Sequence, residues 1–279
     1  MKLDGCRCIA YCDERSVDLR NKRDRKLLPQ FPELQDIYQG CHAKCILDGE
    51  LIVPVQGKPD FYELQKRTLA TNPFKIQLAA SRYPAAFVAY DILYADGKQL
   101  TEIPLMERKE ILTKIVTENS LFSVSRYIEE KGKALFALAK EQKLEGVVGK
   151  KKSSLYWFGK RTQDWKKVKW MKDEEFICVG YIPKEQGMIS LVLAKYNNEN
   201  RLHLVTHVTL GVSRTKLKQS GVREGICPFD MIPSGHEKAI WLEPVVCMIE
   251  YMPTDRDGYR QAVFKGFRED KVPEECRIT

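Results

Sequence analysis

Near its start the chain carries a lysine placed for covalent chemistry. Lys2-Leu3-Asp4-Gly5-Cys6-Arg7 sets an amine beside a carboxylate, a glycine and an arginine. These types suit attack of the amine on phosphorus. The glycine allows close backbone approach, and Arg7 is left for phosphate or ribose. A lysine amine is nucleophilic only when neutral, and its ordinary pKa is about 10.4, so nearby cations or desolvation must lower it. Glu50 and Glu145 stand at the ends of apolar, strand-like runs and offer hard oxygen ligands suited to Mg²⁺ or Mn²⁺. Lys167 and Lys169 are two apart in a strand-like run and therefore share one face, where they can stabilise developing charge and depress the pKa of Lys2. Taken singly, each of these has a plainer meaning: strand-end carboxylates and edge-strand lysines are usually just solvated.

The bulk composition points the same way without deciding it. Lys+Arg number 46 against 38 Asp+Glu, a formal +8, which favours polyanionic partners. The basic residues cluster at Arg20 to Lys26, Lys150 to Lys152 and Lys160 to Lys172, so that Arg20, Lys22 and Arg23 are expected on a phosphate-tracking surface for nucleic acid. No stretch approaches the roughly 20 apolar residues of a membrane helix, and the expected compartment is the cytoplasm. The nine cysteines would then stay reduced. The Cys6-x-Cys8-x3-Cys12 and Cys41-x3-Cys45 spacings lack the paired Cys-x2-Cys form of zinc ribbons and read as ordinary thiols. His203 and His207 fall in an alternating, strand-like run, which does not give helical ligand geometry.

Positioning these residues requires alternating elements. Strands are expected at 6–12, 43–53, 85–94, 121–125, 146–150 and 165–170, with helices at 61–69 (Asp60 as N-cap), 105–116 and 133–142. Past Met171-Lys172-Asp173-Glu174 the pattern becomes short strands at 176–182, 188–196, 202–210 and 241–251, with one helical piece at 214–219. The fold class is therefore α+β: antiparallel sheets with helices over 1–171, then a small closed barrel of the OB-fold type over 172–279.

In order along the chain, the sequence resembles the ATP-dependent DNA ligases, and within them the ligase module of bacterial non-homologous end-joining enzymes. The likeness rests on Lys2-Leu3-Asp4-Gly5, Asp48-Gly49-Glu50-Leu51, Phe87-Val88-Ala89-Tyr90-Asp91, Pro104-Leu105-x-x-Arg108, Glu145-Gly146-Val147-Val148-Gly149-Lys150, Trp165-Lys166-Lys167-Val168-Lys169 and Arg268-Glu269-Asp270-Lys271. Each run is weak alone; together they are specific. The resemblance implies an adenylation (nucleotidyltransferase) domain followed by an OB-fold. It implies that Lys2 attacks the α-phosphorus of ATP and carries AMP, that Glu50 and Glu145 hold the metal, and that Tyr90 stacks on adenine. Arg7 and Arg20 would hold ribose or the 5′-phosphate of the nick, Arg161 would contact phosphate, and Arg268 with Lys271 would orient pyrophosphate by closure of the second domain. The implied partners are nicked or broken double-stranded DNA and a Ku-like end-binding protein, with the chain itself a monomer.

Members of that family carry a strand before the nucleophile, so a start at Met1 suggests a chain shortened just upstream of Lys2, with its adenylation in question. Two other readings stay open: an RNA ligase or capping-type nucleotidyltransferase, and a catalytically impaired remnant that binds DNA.

Overall fold

In the computed structural model, residues 1–253 and 258–278 are described. They form two compact units, Met1–Lys169 and Trp170–Thr279.

The first unit is built on a sheet with strand order β2-β1-β3-β6-β7. Strand β1 (Cys6–Cys12) pairs antiparallel with β2 (Val17–Asn21) and with β3 (Cys45–Ile52). A small ladder, β4 (Pro54–Val55) with β5 (Lys58–Pro59), leads to α1 (Phe61–Thr68). The Asp60 side chain accepts from the backbone N–H groups of Tyr62 and Glu63, as an N-cap should. Helix α2 (Pro73–Arg82) begins in the same manner, with Asn72 accepting from the Lys75 N–H and proline at the first position. Strand β6 (Ala86–Ala95) lies against β3 and pairs with β7 (Lys98–Gln99) on its other side and, in parallel, with β8 (Phe122–Val124). Helices α3 (Leu105–Ile115) and α4 (Gly132–Glu141) follow in the chain on either side of β8, and β9 (Gly146–Lys150) pairs with β10 (Trp165–Lys169) in a separate two-stranded sheet.

Alternation sorts the large sheet into two faces. Cys8, Ala10, Leu19, Leu47, Leu51, Phe87 and Ala89 are buried with Phe31, Leu34 and Leu112 in one core. The opposite face carries Arg7 paired across to Glu50, and Arg20 across to Ile9, itself across from Asp48. The expected α+β class is what forms. The elements that sequence pattern did not anticipate include β2, the two-residue strands β4, β5 and β7, α2 and the last strand of the second unit. Helix α2 exposes Phe74 and Leu78, so its apolar face gives a poor helical signal despite a clear Asn72-Pro73 start.

One interaction inside this unit is fully sequestered. Asp91 and Arg108 both have no solvent exposure. The guanidinium donates to Asp91 through Nε (2.7 Å) and Nη2 (2.9 Å). Its Nη1 donates to the carbonyls of Ile103 and Ser154 at 2.6 and 3.1 Å.

In the second unit, β11 (Lys172–Pro183), β12 (Ile189–Tyr196), β13 (Leu202–Val208), β14 (Ile240–Met252) and β15 (Arg260–Phe267) form one antiparallel sheet, ordered β13-β12-β11-β14-β15. Both faces are buried. Phe176, Cys178, Leu191, Leu193 and Ile249 line one, while Ile177, Val179, Val192, Ala194 and Val246 line the other. Helix α5 (Arg214–Gln219) is capped by Ser213 and contributes Leu217 to the first. The closed barrel expected from sequence is not completed by a ladder among the described residues. The two ends of the sheet meet through a bridge between Leu210 and Val263, where the Phe264 N–H donates to the Leu210 carbonyl at 2.9 Å.

Removing one partner of the Asp91–Arg108 pair strands a buried charge. Asp91→Ala is expected to lower unfolding free energy by about 3–5 kcal/mol, measured by denaturant titration. A loss below about 1 kcal/mol would show that the pair does not hold the unit together.

Candidate active site

The Lys2 backbone N–H donates to the Gly146 carbonyl at 2.8 Å, which brings the start of the chain to the first residue of β9. Gly146 has φ +140°, and a Cβ there would come within 2.1 Å of the Val168 carbonyl oxygen; only glycine lets β9 lie this close to β10. Gly5 is equally constrained, since a Cβ would meet the Leu51 carbonyl oxygen at 2.4 Å. These two contacts deliver the Lys2 side chain to Glu145, and the amine pairs with the Glu145 carboxylate. The Glu145 side chain is only 3% exposed and has Lys169 Nζ 3.9 Å from its other oxygen.

Glu50 joins the same cluster from β3. Burial, reinforced by the negative charges of Asp48 and Glu145, pushes its carboxyl up to about 7, against the pull of Lys2 and Lys167. The Lys167 amine is held below the usual lysine value, first by partial burial and then by the nearby Lys2 cation. The structure therefore gathers Lys2, Glu50, Glu145, Lys167 and Lys169. Two carboxylates this close in a solvent-poor place are costly to ionise without a cation. As a donor set they fit a hard divalent ion.

Arg7 is more committed than its sequence suggests. Its Nε and Nη2 donate to the fully buried Asp48 at 3.0 and 2.8 Å, and Nη2 also donates to the Tyr156 hydroxyl at 2.6 Å. Tyr156 in turn donates to Asp48 at 2.8 Å. The Arg7 side chain remains about half exposed, so it keeps donors for a ligand. Tyr90 occupies a β-bulge: Gly49 pairs with Ala89 and Asp48 with Asp91, leaving Tyr90 as the extra residue. A bulge of this kind re-aims the side chain it carries. Burial pushes the Tyr90 phenol well above its ordinary value.

Lys150 is the residue that sequence reasoning left without a role. Its amine lies 4.5 Å from the centroid of the Tyr90 ring and 3.7 Å from that of Trp165. The nitrogen is buried and has no hydrogen-bond acceptor among the described residues. Burial lowers its pKa to about 8. The available signal was the register itself: Lys150 ends β9 directly opposite Trp165.

The remaining sequence candidates are not drawn into this cluster. Arg20 faces the same side of the sheet, but it is tied to Asp18 and Asp24, both at 2.9 Å. Lys22 and Arg23 are exposed in the turn after β2, and Arg161 is exposed between β9 and β10. In the second unit, Arg268 donates to Asp270 (2.7 and 2.6 Å) and to Glu175 (3.1 Å), and Lys271 also donates to Glu175 (2.7 Å). Both cations are already partnered by carboxylates there.

This arrangement, a lysine between glycines and carboxylates, lies wholly within a stretch that matches a known family. Residues 1–169 match the ATP dependent DNA ligase domain. The chain belongs to that family. The multifunctional non-homologous end joining protein LigD of Pseudomonas aeruginosa is 31% identical over 99% of this chain, which spans 34% of that protein's length. The SPbeta prophage-derived DNA ligase-like protein LigB of Bacillus subtilis is 27% identical, with 92% of this chain and 87% of that protein covered. Among solved structures, a mycobacterial DNA ligase D complexed with ATP and MES has the same fold (TM-score 0.55, 24% identity, 99% of this chain and 90% of that one). Among the described residues, no helix is long and apolar enough to cross a membrane.

The buried, unpartnered Lys150 amine should cost the fold stability. Its folded pKa of about 8 lies below the ordinary 10.5, so the unfolded chain binds more protons between these values. The wild-type fold therefore gains stability as pH rises from about 8 to 10.5. Lys150→Met should be more stable than wild type by on the order of 3 kcal/mol at pH 7, with the advantage gone near pH 10.5. Melting curves across that range check it; an advantage independent of pH would show that the amine is not the cause.

Proposed function

We propose that this protein is an ATP-dependent DNA ligase that seals 5′-phosphate/3′-hydroxyl nicks through a lysyl-AMP intermediate, in repair or end joining. The observation that carries this reading is the Lys2 amine held against Glu145 with Glu50, Lys167 and Lys169 around it. We assign the first unit to adenylation and the second to the OB-fold part of the enzyme.

In this reading Lys2 Nζ forms a bond to the α-phosphorus of ATP, and the bond from that phosphorus to the pyrophosphate oxygen breaks. The amine must be free of its proton to attack, and the neighbouring Glu145 carboxylate is the acceptor in contact with it. Lys167 and Lys169 stabilise the charge that develops on the phosphate oxygens. Tyr90 offers its face to adenine, and the unpartnered Lys150 amine beside it would donate to an acceptor on the base edge. Arg7, fixed by Asp48 and Tyr156, keeps its remaining donors for ribose or phosphate. AMP then passes to the 5′-phosphate of the nick, and the 3′-hydroxyl displaces it. Glu50 and Glu145 would hold Mg²⁺ or Mn²⁺, which supplies charge neutralisation at the phosphates. Arg268 and Lys271 would serve pyrophosphate, which must compete with Glu175 for them. The polyanionic substrate is nicked or broken duplex DNA, met by Lys22 and Arg23. A Ku-like end-binding protein is the partner that the end-joining relatives suggest.

Incubation with α-labelled ATP and Mg²⁺ should place AMP on Lys2, located by mass spectrometry, and Lys2→Ala should abolish the label. Retention of the label by that variant would remove Lys2 as the nucleophile. Wild-type protein that binds nicked DNA but never takes label would instead favour a remnant that only binds.

DNA binding should be chiefly electrostatic. Each phosphate contact contributes about −0.9 to the slope of log affinity against log salt. Replacing Lys22 and Arg23 together by alanine should therefore flatten the slope for a nicked duplex by about 1.8. An unchanged slope would exclude this turn from the DNA surface.

A further inference from the structure

At the far end of β1 and β3 from Arg7 and Glu50, three cysteines converge. Cys12 ends β1 and pairs directly across from Cys45, the first residue of β3. Cys41 enters from the preceding loop, four residues before Cys45, where it bridges to Val116. All three sulfurs lie within 4.8 Å of one another. Sequence spacing reads as ordinary thiols, because neither group has the paired Cys-x2-Cys form of zinc ribbons. The strand register brings Cys12 to the other two. Cys8, on the same buried face of β1, takes no part in the cluster.

We propose that Cys12, Cys41 and Cys45 form a tricysteinate site for one thiophilic d¹⁰ metal ion, Zn²⁺, with its fourth position left to solvent. Zinc–sulfur bonds of about 2.3 Å in a tetrahedron set sulfur–sulfur edges of about 3.8 Å. A triangle already within 4.8 Å reaches that by small side-chain rotations. Cys12 and Cys45 are buried at 2% and 1% exposure, whereas Cys41 is only half-buried, which leaves one side open for entry and for a water ligand. Binding releases the thiol protons to solvent as each sulfur donates an electron pair to the ion. No electron transfer is involved.

The site's consequence is mechanical. It ties the loop before β3 to the ends of the two strands that carry Arg7, Asp48 and Glu50. Arg7 is five residues, roughly 17 Å, along β1 from Cys12, so the ion touches none of the residues around Lys2. The proposal stands independently of the nick-sealing reading, and its test needs no ligase assay.

The experiment uses tag-free, fully reduced chain. Zinc loading followed by gel filtration and elemental analysis should give one zinc per chain. Co²⁺ in its place should produce thiolate-to-metal charge-transfer absorption. Alkylation mapped by mass spectrometry should show zinc protecting the half-buried Cys41 but not the similarly accessible Cys227. Cys41→Ser and Cys45→Ser should lose the zinc, while Cys227→Ser keeps it. The zinc-dependent protection of Cys41 in the wild-type chain decides the matter even where a variant folds poorly. Folded, reduced wild type that takes up neither zinc nor cobalt would overturn the proposal. So would zinc held equally by the Cys41→Ser/Cys45→Ser double variant. Recovery of the protein as a metal-free Cys12–Cys45 disulfide that does not bind zinc after reduction would overturn it as well.

Discussion

The fully buried pair of Asp91 with Arg108 is the constraint on which the first unit is arranged. A guanidinium in a place without water must satisfy its donors locally, and this one finds the two Asp91 oxygens and the carbonyls of Ile103 and Ser154. Those partners come from β6, from the turn before α3 and from the segment after β9. One side chain thus locks three parts of the chain that share no ladder. The segment it fixes at Ser154 is the one that accepts from the Trp165 indole at 3.1 Å and sends Tyr156 to Asp48. Asp91 also follows the bulge that sets Tyr90. The placement of Tyr90, Tyr156 and Trp165 is therefore derived from a charge pair that touches no substrate.

Three carboxylates on or beside the open face of the sheet are treated differently, and the difference has chemical meaning. Asp48 is held by Arg7 and Tyr156, and it acts as a structural anchor that aims a guanidinium. Glu145 is shared between Lys2 and Lys169. Glu50 is left with burial outweighing its attraction to Lys2 and Lys167, so its carboxyl rises to about 7. A site arranged for stability alone would pair Glu50 as well as Asp48. The unequal treatment leaves one carboxyl that gains most when a cation or a cationic ligand arrives.

The chemistry-bearing runs were legible because each combines a rare residue order with a strand or cap signal. Gly5 and Gly146 stand where backbones must touch, Asp60 caps α1, and Lys167 and Lys169 share a strand face. What stayed hidden depends on register. Lys150 looked like one of three surface lysines, and only its position opposite Trp165 buries the amine. Arg7 looked free because its partner Asp48 lies 41 residues away. Arg20 looked available because its side chain's ties to Asp18 and Asp24 are turn geometry. The cysteine triangle was dismissed on spacing because Cys12 meets Cys45 only through the β1–β3 pairing. The strand β15 was obscured by a run of charge and glycine that reads as a motif before it reads as a strand.

The buried, unpartnered amine of Lys150 and the raised carboxyl of Glu50 have the same physical origin. Each is an ionisable group held where water is scarce, and each is less stable in its charged form than it would be in solvent. Such groups persist in a fold only where surrounding structure over-determines them. Here the Asp91–Arg108 pair, the Asp48 anchor and the glycine contacts supply that rigidity. The two groups lie on different sheets, Glu50 on β3 and Lys150 on β9, so neither can relax by a shift of one strand. On the reading proposed above, a nucleotide would relieve both at once, its base meeting the amine and its phosphates bringing a divalent cation to Glu50. A ligand with both a base and phosphates would then draw on both groups, and one with only a base or only phosphates on a single group.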